Sequence, residues 1–377
     1  MELHRIQLED LKNSLKPQKV TVLLGARRVG KSILIETLLN SYKQPFLFLN
    51  GEDEDTHLLL AHKTVANYTR VIGENKLLVI DEAQNIPDIG KKLKLMIDSI
   101  KGLKILVTGS SAFDILNVAG EPLTGRYNLV YLYPMWQGEL KENALQMKQN
   151  LEERLIYGSY PELWHLKSNT DKRKYLIDLV NAYLLKDILI LDGLRNSSIV
   201  YSLLKLIAYQ IGKEVSYTEL GTQLGISKNT VEKYLNLLTK VFVVIKVPAY
   251  SNNLRKEISK SQRWYFVDNG IRNALISNFD PLALRNGDEK GMLWENYLFM
   301  ERLKRNTYLN SKRDYYFWRT YDGQEIDLLE ENTKKLEAFE FKFSGKKKSK
   351  IPAAFAKAYA KSSFCVINEK NYLDFIL

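Results

Sequence analysis

Five short apolar runs punctuate the first 135 residues: "KVTVLL" from Lys19, "PFLFLN" from Pro45, "KLLVI" from Lys76, "LKILV" from Leu103 and "YNLVYLYP" from Tyr127. Unbroken apolar runs of four to six residues, bounded by polar or glycine turns, predict strands buried on both faces. Between the first two lies "ILIETLLNSY", whose Ile33, Leu34, Leu38 and Tyr42 suit one stripe of a helix. Strands alternating with helices predict an α/β fold with a parallel sheet covered on both faces. From Gln137 to about Leu194 the period changes to three and four, as in "YLIDLVNAYLLKDILIL", with a turn at "GSYPEL" (Gly158 to Leu163) whose tyrosine and proline are expected to pack.

The pattern changes again in "EVSYTELGTQLGISKNTVEKYLNLLTKVFVVIKV". Ser216 and Ser227 are placed to cap two helices separated by a turn at Gly225. The second helix buries Val231, Tyr234, Leu235 and Leu238, and turns Lys228, Asn229, Lys233 and Asn236 outward. Strand residues Val243 to Val247, the polar stretch "SNNLRKEISKSQ" and then "RWYFV" complete a helix-turn-helix followed by a hairpin, the winged-helix pattern. Next come an amphipathic helix, "GMLWENYLFMERLKR", and a hairpin in "YYFWRTYDGQEIDLLEE" turning at Asp322-Gly323. The third strand of this part is "KLEAFEFKF". The expected domains are 1–135, an α/β core; 136–195, a helical connector; 196–284, the winged helix; and 285–377, an α/β tail.

Candidate chemistry sits at the ends of the predicted strands. "GARRVGKS", Gly25 to Ser32, matches G-x-x-x-x-G-K-S and lies between a strand and a helix. That context suits a phosphate cradle, because backbone N–H groups and the helix dipole both favour an anion there. Gly25, Ala26, Arg27, Arg28, Val29, Gly30, Lys31, Ser32 and Ile33 are the expected nucleotide-binding residues. Lys31 reaches the β and γ phosphates and Ser32 ligates Mg²⁺. "VIDEAQ" ends a strand in Asp81, which completes the Mg²⁺ shell, and Glu82, which polarises the attacking water. The next strand ends in Thr108-Gly109-Ser110, where Thr108 and Ser110 are candidate γ-phosphate sensors.

These motifs, with "TGSSAF", "LTGRYNLVYLYPMWQGEL" and "GSYPEL", resemble the AAA-like P-loop ATPases, and more closely a prokaryotic family in which such an ATPase is fused to a C-terminal domain of unknown function. The resemblance covers nearly the whole chain. It implies a sheet order of 5-1-4-3-2 and ATP rather than GTP. It also makes Arg126, in "LTGRYN", a candidate for a transition-state contact, in cis or from a neighbouring subunit, as Arg28 is within the loop.

Along "KLEAFEFKF", Ala338, Glu340 and Lys342 share one face, and Phe339, Phe341 and Phe343 the other. Asp327 on the preceding strand can reach the same point. With Glu295 on the helix, these residues resemble the PD-(D/E)xK nuclease core, which implies Mg²⁺ or Mn²⁺ on Asp327 and Glu340 and a catalytic role for Lys342.

Charge changes the picture only for partners. The 377 residues carry a net +11; up to Met135 there are 17 basic and 15 acidic side chains, and beyond it 38 and 29. The excess lies behind the predicted ATPase and points to DNA, with Lys346-Lys347-Lys348 as one candidate contact. A single cysteine, Cys365, excludes an internal disulfide and any cysteine-rich zinc module. No run is long enough for a membrane span, and the N-terminus lacks a signal-peptide core, so a cytoplasmic protein is expected. Two functions follow: a Mg-ATP-dependent machine on DNA with a nuclease tail, or an ATP-switched scaffold that only binds DNA or protein. An arginine supplied in trans would require a homo-oligomer.

Overall fold

The computed structural model describes residues 4–109, 123, 125–181, 197–251, 262–333, 335–344 and 349–377. The chain divides into two compact units, Glu2–Tyr133 with Lys240–Phe242, and Pro134–Thr239 with Val243–Leu377.

In the first unit, α1 (Gln7–Ser14) precedes β1 (Val20–Leu24), whose five residues are all buried. Then come α2 (Lys31–Asn40), β2 (Phe46–Asn50), α3 (Glu54–Leu59), α4 (Val65–Ile72), β3 (Leu77–Asp81), α5 (Ile89–Ser99), β4 (Lys104–Gly109) and β5 (Tyr127–Tyr131). The strands pair in parallel in the order β2-β3-β4-β1-β5, which is 5-1-4-3-2 read from the other edge. All five predicted strands are present. The expectation that both sheet faces are covered fails at the edge. Leu49 of β2 is buried, but Phe46 and Phe48, on the alternate face, are 39% and 45% exposed. Ile33 also departs from its expected place: α2 buries Leu34, Ile35 and Leu38, and leaves Ile33 67% exposed.

The second unit begins with α6 (Ala144–Gln149), α7 (Leu151–Tyr157) and α8 (Asn169–Leu179); most of the predicted helical run from Tyr175 lies outside the described residues. Tyr160 of the "GSYPEL" turn is buried, as expected, and the Ser159 N–H donates to Asp268 at 2.7 Å. Next are α9 (Ser197–Ala208), β6 (Glu214–Val215), α10 (Tyr217–Leu224), α11 (Lys228–Lys240), β7 (Val244–Pro248) and β8 (Gln262–Phe266), whose strands form an antiparallel sheet in the order β6-β8-β7. Ser216 and Ser227 accept from Glu219 N–H and Thr230 N–H, at 3.3 and 3.1 Å. Val231, Tyr234, Leu235 and Leu238 of α11 are buried.

After α12 (Asn269–Leu275), capped by Asp268, the 22-residue α13 (Gly287–Tyr308) leads into β9 (Asp314–Arg319), β10 (Glu325–Glu331), β11 (Leu336–Phe341), α14 (Ala353–Ala358), β12 (Ser363–Ile367) and α15 (Tyr372–Ile376). The sheet order is β12-β11-β10-β9, with only the β11–β12 pair parallel. Trp318, Ile326, Leu329, Ala338 and Phe355 form a core cluster against this sheet. The predicted hairpin turns between Thr320 and Gln324, through Asp322-Gly323. Phe339 and Phe341 both pack on Phe375, which fixes the predicted alternation of β11. Among the described residues, no helix is long and apolar enough to cross a membrane.

Candidate functional site

The loop from Gly25 to Gly30 joins β1 to α2 at the C-terminal edge of the parallel sheet. A Cβ at Gly25 would lie 2.1 Å from the Leu132 carbonyl oxygen, so only glycine lets the chain leave β1 there. Gly30 opens α2 with φ 95°, again a glycine conformation. Ala26 and Val29 are buried, Arg27 is half-buried and Arg28 is exposed with φ 59°. Two anchors hold the loop. Arg5 donates to the Val29 carbonyl, and the buried Lys31 ammonium lies 2.9 and 3.1 Å from the Gly25 and Ala26 carbonyl oxygens. Position 5 carries no motif, so the sequence holds no signal for its role.

Beside the loop runs a chain of hydrogen bonds. Ser32 Oγ donates to Asp81 Oδ2 at 2.9 Å, Thr108 Oγ1 donates to Asp81 Oδ1, and Glu82 N–H donates to Thr108 Oγ1 at 2.9 Å. Strand β4 lies between β1 and β3, with Leu23 beside Thr108 and Ile80 beside Val107. That register sets the Thr108 hydroxyl next to Asp81. Thr108 was expected to sense a γ-phosphate; it is fully buried, and its one hydroxyl proton is committed to Asp81. In this arrangement it orients Asp81. Glu82 sits in the left-handed region (φ 50°, ψ 44°), and its Oε2 accepts from Gln84 Nε2 at 2.5 Å. Ser110 lies outside the described residues. The donor set suits Mg²⁺, a hard cation that takes oxygen ligands and completes its shell with phosphate oxygens and water.

Arg126 is not brought to this site. It precedes β5, whose first residue, Tyr127, pairs with Val20 at the start of β1. Five residues of strand, about 3.3 Å each, separate that edge from the P-loop. The Arg126 guanidinium is paired with Asp98. A contact with the γ-phosphate of its own chain is incompatible with this position.

In the tail, the structure gathers all four expected residues. Lys342 Nζ lies 2.6 Å from Glu340 Oε1, and Asp327 Oδ2 accepts the Phe341 N–H at 2.7 Å. The register of β10 against β9 shifts between Ile326 and Leu329, the stretch that holds Asp327, the kind of irregularity that re-aims a side chain. Burial, then the nearby Glu295 and Glu340 carboxylates, push the Asp327 carboxyl well above its usual range. Burial raises Glu295 to about 6, against the pull of Arg263. Sequence reasoning missed Arg263 of β8. Its guanidinium is 3.7 Å from Glu295 Oε1, 3.8 Å from Asp327 Oδ1 and 3.0 Å from Glu325 Oε2. The available signal was a lone arginine in the apolar run "QRWYF". Among the described residues, no three acidic, histidine or cysteine side chains converge on a metal position. Of the two carboxylates expected to hold a divalent ion, Glu340 is paired with Lys342 and Asp327 with Arg263.

On α11, Lys228, Asn229 and Lys233 are exposed on one side of the helix. The run Lys346-Lys347-Lys348 lies outside the described residues.

Residues 17–141 match the model of the AAA domain, residues 148–282 that of a domain of unknown function (DUF8612), and residues 290–374 that of a second domain of unknown function (DUF4143). The chain therefore carries an AAA-type P-loop ATPase domain, with the α/β fold and strand order of that class, and ends in a DUF4143 domain. That pairing is the one the resemblance implies. An uncharacterized protein of Mycobacterium tuberculosis is 27% identical over 334 residues, covering 88% of this chain and 72% of its own length. An uncharacterized protein of Methanocaldococcus jannaschii is 24% identical, covering 85% and 74%. Among solved structures, a signal transduction ATPase with a tetratricopeptide repeat sensor from Pyrococcus horikoshii is 12% identical with a TM-score of 0.33, covering 81% of this chain and 50% of that one. The Pif1 helicase from Bacteroides bound to ADP-AlF3 and ssDNA is 14% identical with a TM-score of 0.28, covering 48% and 51%. The chain thus spans about half the length of these structures, and both scores are too low to establish a shared overall fold.

Proposed function

We propose that this chain is a Mg²⁺-dependent ATPase whose first unit hydrolyses ATP and whose second unit binds DNA. The AAA domain supports nucleotide binding and hydrolysis. The observation that carries the finer reading is the hydrogen-bonded series Ser32–Asp81–Thr108–Glu82 beside the P-loop. Lys31, at the first position of α2, turns its ammonium from the loop carbonyls to the β and γ phosphates. Ser32 and Asp81 would hold Mg²⁺, which would neutralise charge on the phosphate oxygens. Glu82, turned by its left-handed backbone and steadied by Gln84, takes the proton of the attacking water. Arg28, within the loop, is a candidate transition-state arginine of the same chain. Arg126 is available only to a neighbouring copy, so that role requires a homo-oligomer.

The DNA reading rests on the helix pair α10–α11 followed by β7 and β8, on the exposed Lys228, Asn229 and Lys233, and on the basic excess beyond Met135. A second reading is a switch or scaffold in which the tail binds without cutting. Arg263 among the tail carboxylates favours it over metal-dependent cleavage.

The test is ATP hydrolysis with Mg²⁺, with and without duplex DNA. Lys31→Ala is expected to abolish ATP binding. Glu82→Gln is expected to retain binding and lose about 10²–10⁴-fold in turnover, the usual contribution of a positioned base. Wild-type rates in Glu82→Gln would assign the base elsewhere, and no hydrolysis by wild type would sink the reading.

A further inference from the structure

We propose that Arg263 is the resident cation of the tail's carboxylate cluster, engaging the expected metal ligand Asp327, so that the nuclease-like tail is a metal-free core. The inference goes beyond the ATPase reading and does not depend on it.

Three observations carry it. The first is position. Nη1 of Arg263 is nearly equidistant from Glu295 Oε1 and Asp327 Oδ1, at 3.7 and 3.8 Å, while Nη2 reaches Glu325 Oε2 at 3.0 Å. Asp327 is a ligand of the expected Asp327–Glu340 pair, and both its oxygens face protein donors: Oδ1 the guanidinium, Oδ2 the Phe341 N–H. The second is the state of the oxygens. Glu295 Oε1 already accepts the Tyr265 hydroxyl at 2.6 Å, Asp327 Oδ2 the Phe341 N–H, and Glu340 Oε1 the Lys342 ammonium. Each carboxylate already accepts from a protein donor on one oxygen. The third is the wall behind the cation. The Phe317 ring faces the guanidinium at 4.5 Å to its centroid. An aromatic face suits a planar, weakly hydrated guanidinium and offers no ligand to a metal ion.

The backbone is built around this cation. At 3% exposure Arg263 is buried between Gln262 and Trp264 of β8, a strand with no solvent-facing residue. Asp327 Oδ1 lies 3.8 Å from Arg263 Nη1, in the stretch of β10 where the register against β9 shifts. The backbone of Phe317 accepts from Tyr250 N–H at 2.7 Å, just beyond β7, which ties the β6-β8-β7 sheet to β9. The cluster thus fastens the sheet behind the helix pair to the tail through Glu295 on α13 and Glu325 and Asp327 on β10.

Mn²⁺ binding to the full chain, followed by electron paramagnetic resonance without nucleotide, tests this. An Asp81→Asn background removes the carboxylate beside the P-loop. With Arg263 present, no stoichiometric Mn²⁺ is expected, and adding Asp327→Asn changes nothing. Arg263→Met, close in volume and uncharged, is expected to gain one Mn²⁺ site, lost again on adding Asp327→Asn. Stoichiometric Mn²⁺ in the Arg263 chain that Asp327→Asn removes would overturn the proposal. So would a folded Arg263→Met chain that gains no site. If Arg263→Met does not fold, the Arg263 chain with and without Asp327→Asn decides alone. ATP hydrolysis, measured in chains that keep Asp81, is a separate readout.

Discussion

A threonine methyl and hydroxyl separate two functions at position 108. The hydroxyl donates to Asp81 and accepts from Glu82 N–H, while the side chain is shut away from solvent. Thr108→Val keeps the volume and removes both bonds, leaving a buried N–H unpaired at a cost of about 1–3 kcal/mol. The expected outcome is a lower unfolding midpoint together with a higher Mg²⁺ requirement for ATP turnover, read by titrating Mg²⁺ at fixed ATP. An unchanged Mg²⁺ requirement would return Thr108 to the role of phosphate sensor. The sequence placed Thr108 at a strand end but not its partner, because that depends on the register of β4 against β3. Arg126 teaches the converse. A residue just before a parallel strand lies at the edge away from the ligand, so its distance from the P-loop was readable from the strand order alone.

At the scale of elements, the strands and the face of α11 were legible because burial leaves a local pattern: Val231, Tyr234, Leu235 and Leu238 at three and four. The outward side then gives a direct test. Lys228→Ala with Lys233→Ala removes two exposed cations and touches no buried residue of the helix. DNA affinity is expected to fall, and the slope of log K against log salt to become shallower by about 0.9 for each phosphate that is no longer neutralised. Equal slopes for variant and wild type would remove α11 from the DNA-facing surface. Arg263 escaped the same local reading, because its meaning comes from Glu295, Glu325 and Asp327, residues far along the chain, and its own strand reads as apolar. The exposed Phe46 and Phe48 escaped it for a related reason: alternation shows that a strand has two faces, not that a neighbour covers them.

Over the whole molecule, buried carboxyls set how stability answers to pH. Glu295 and Asp268 are both raised to about 6, chiefly by burial, and Asp327 is raised well above the usual range. In the unfolded chain such groups lose their protons near pH 4. Between about pH 4 and 6 the folded chain therefore holds protons that the unfolded chain has released, and stability falls as pH rises. Asp327 carries the fall further up. Glu295→Gln is expected to flatten the part between about pH 4 and 6 without removing it, since Asp268 and Asp327 remain; urea midpoints across that range would show it. A slope identical to wild type would mean that Glu295 is ionised throughout.

Strand β1, which carries the P-loop, is paired on one side with β4 and on the other with β5. Both partners lie some 80 to 110 residues later in the chain. During synthesis β1 emerges early and waits, with five residues unpaired, four of them apolar, until Lys104–Gly109 and then Tyr127–Tyr131 have followed it. Such long-range closure is slow, and the exposed strand is the segment most open to mispairing in the interval. The cradle is thus completed late, and a chain cut short before Lys104 would have its motif intact in sequence and neither neighbour of β1 to hold it open.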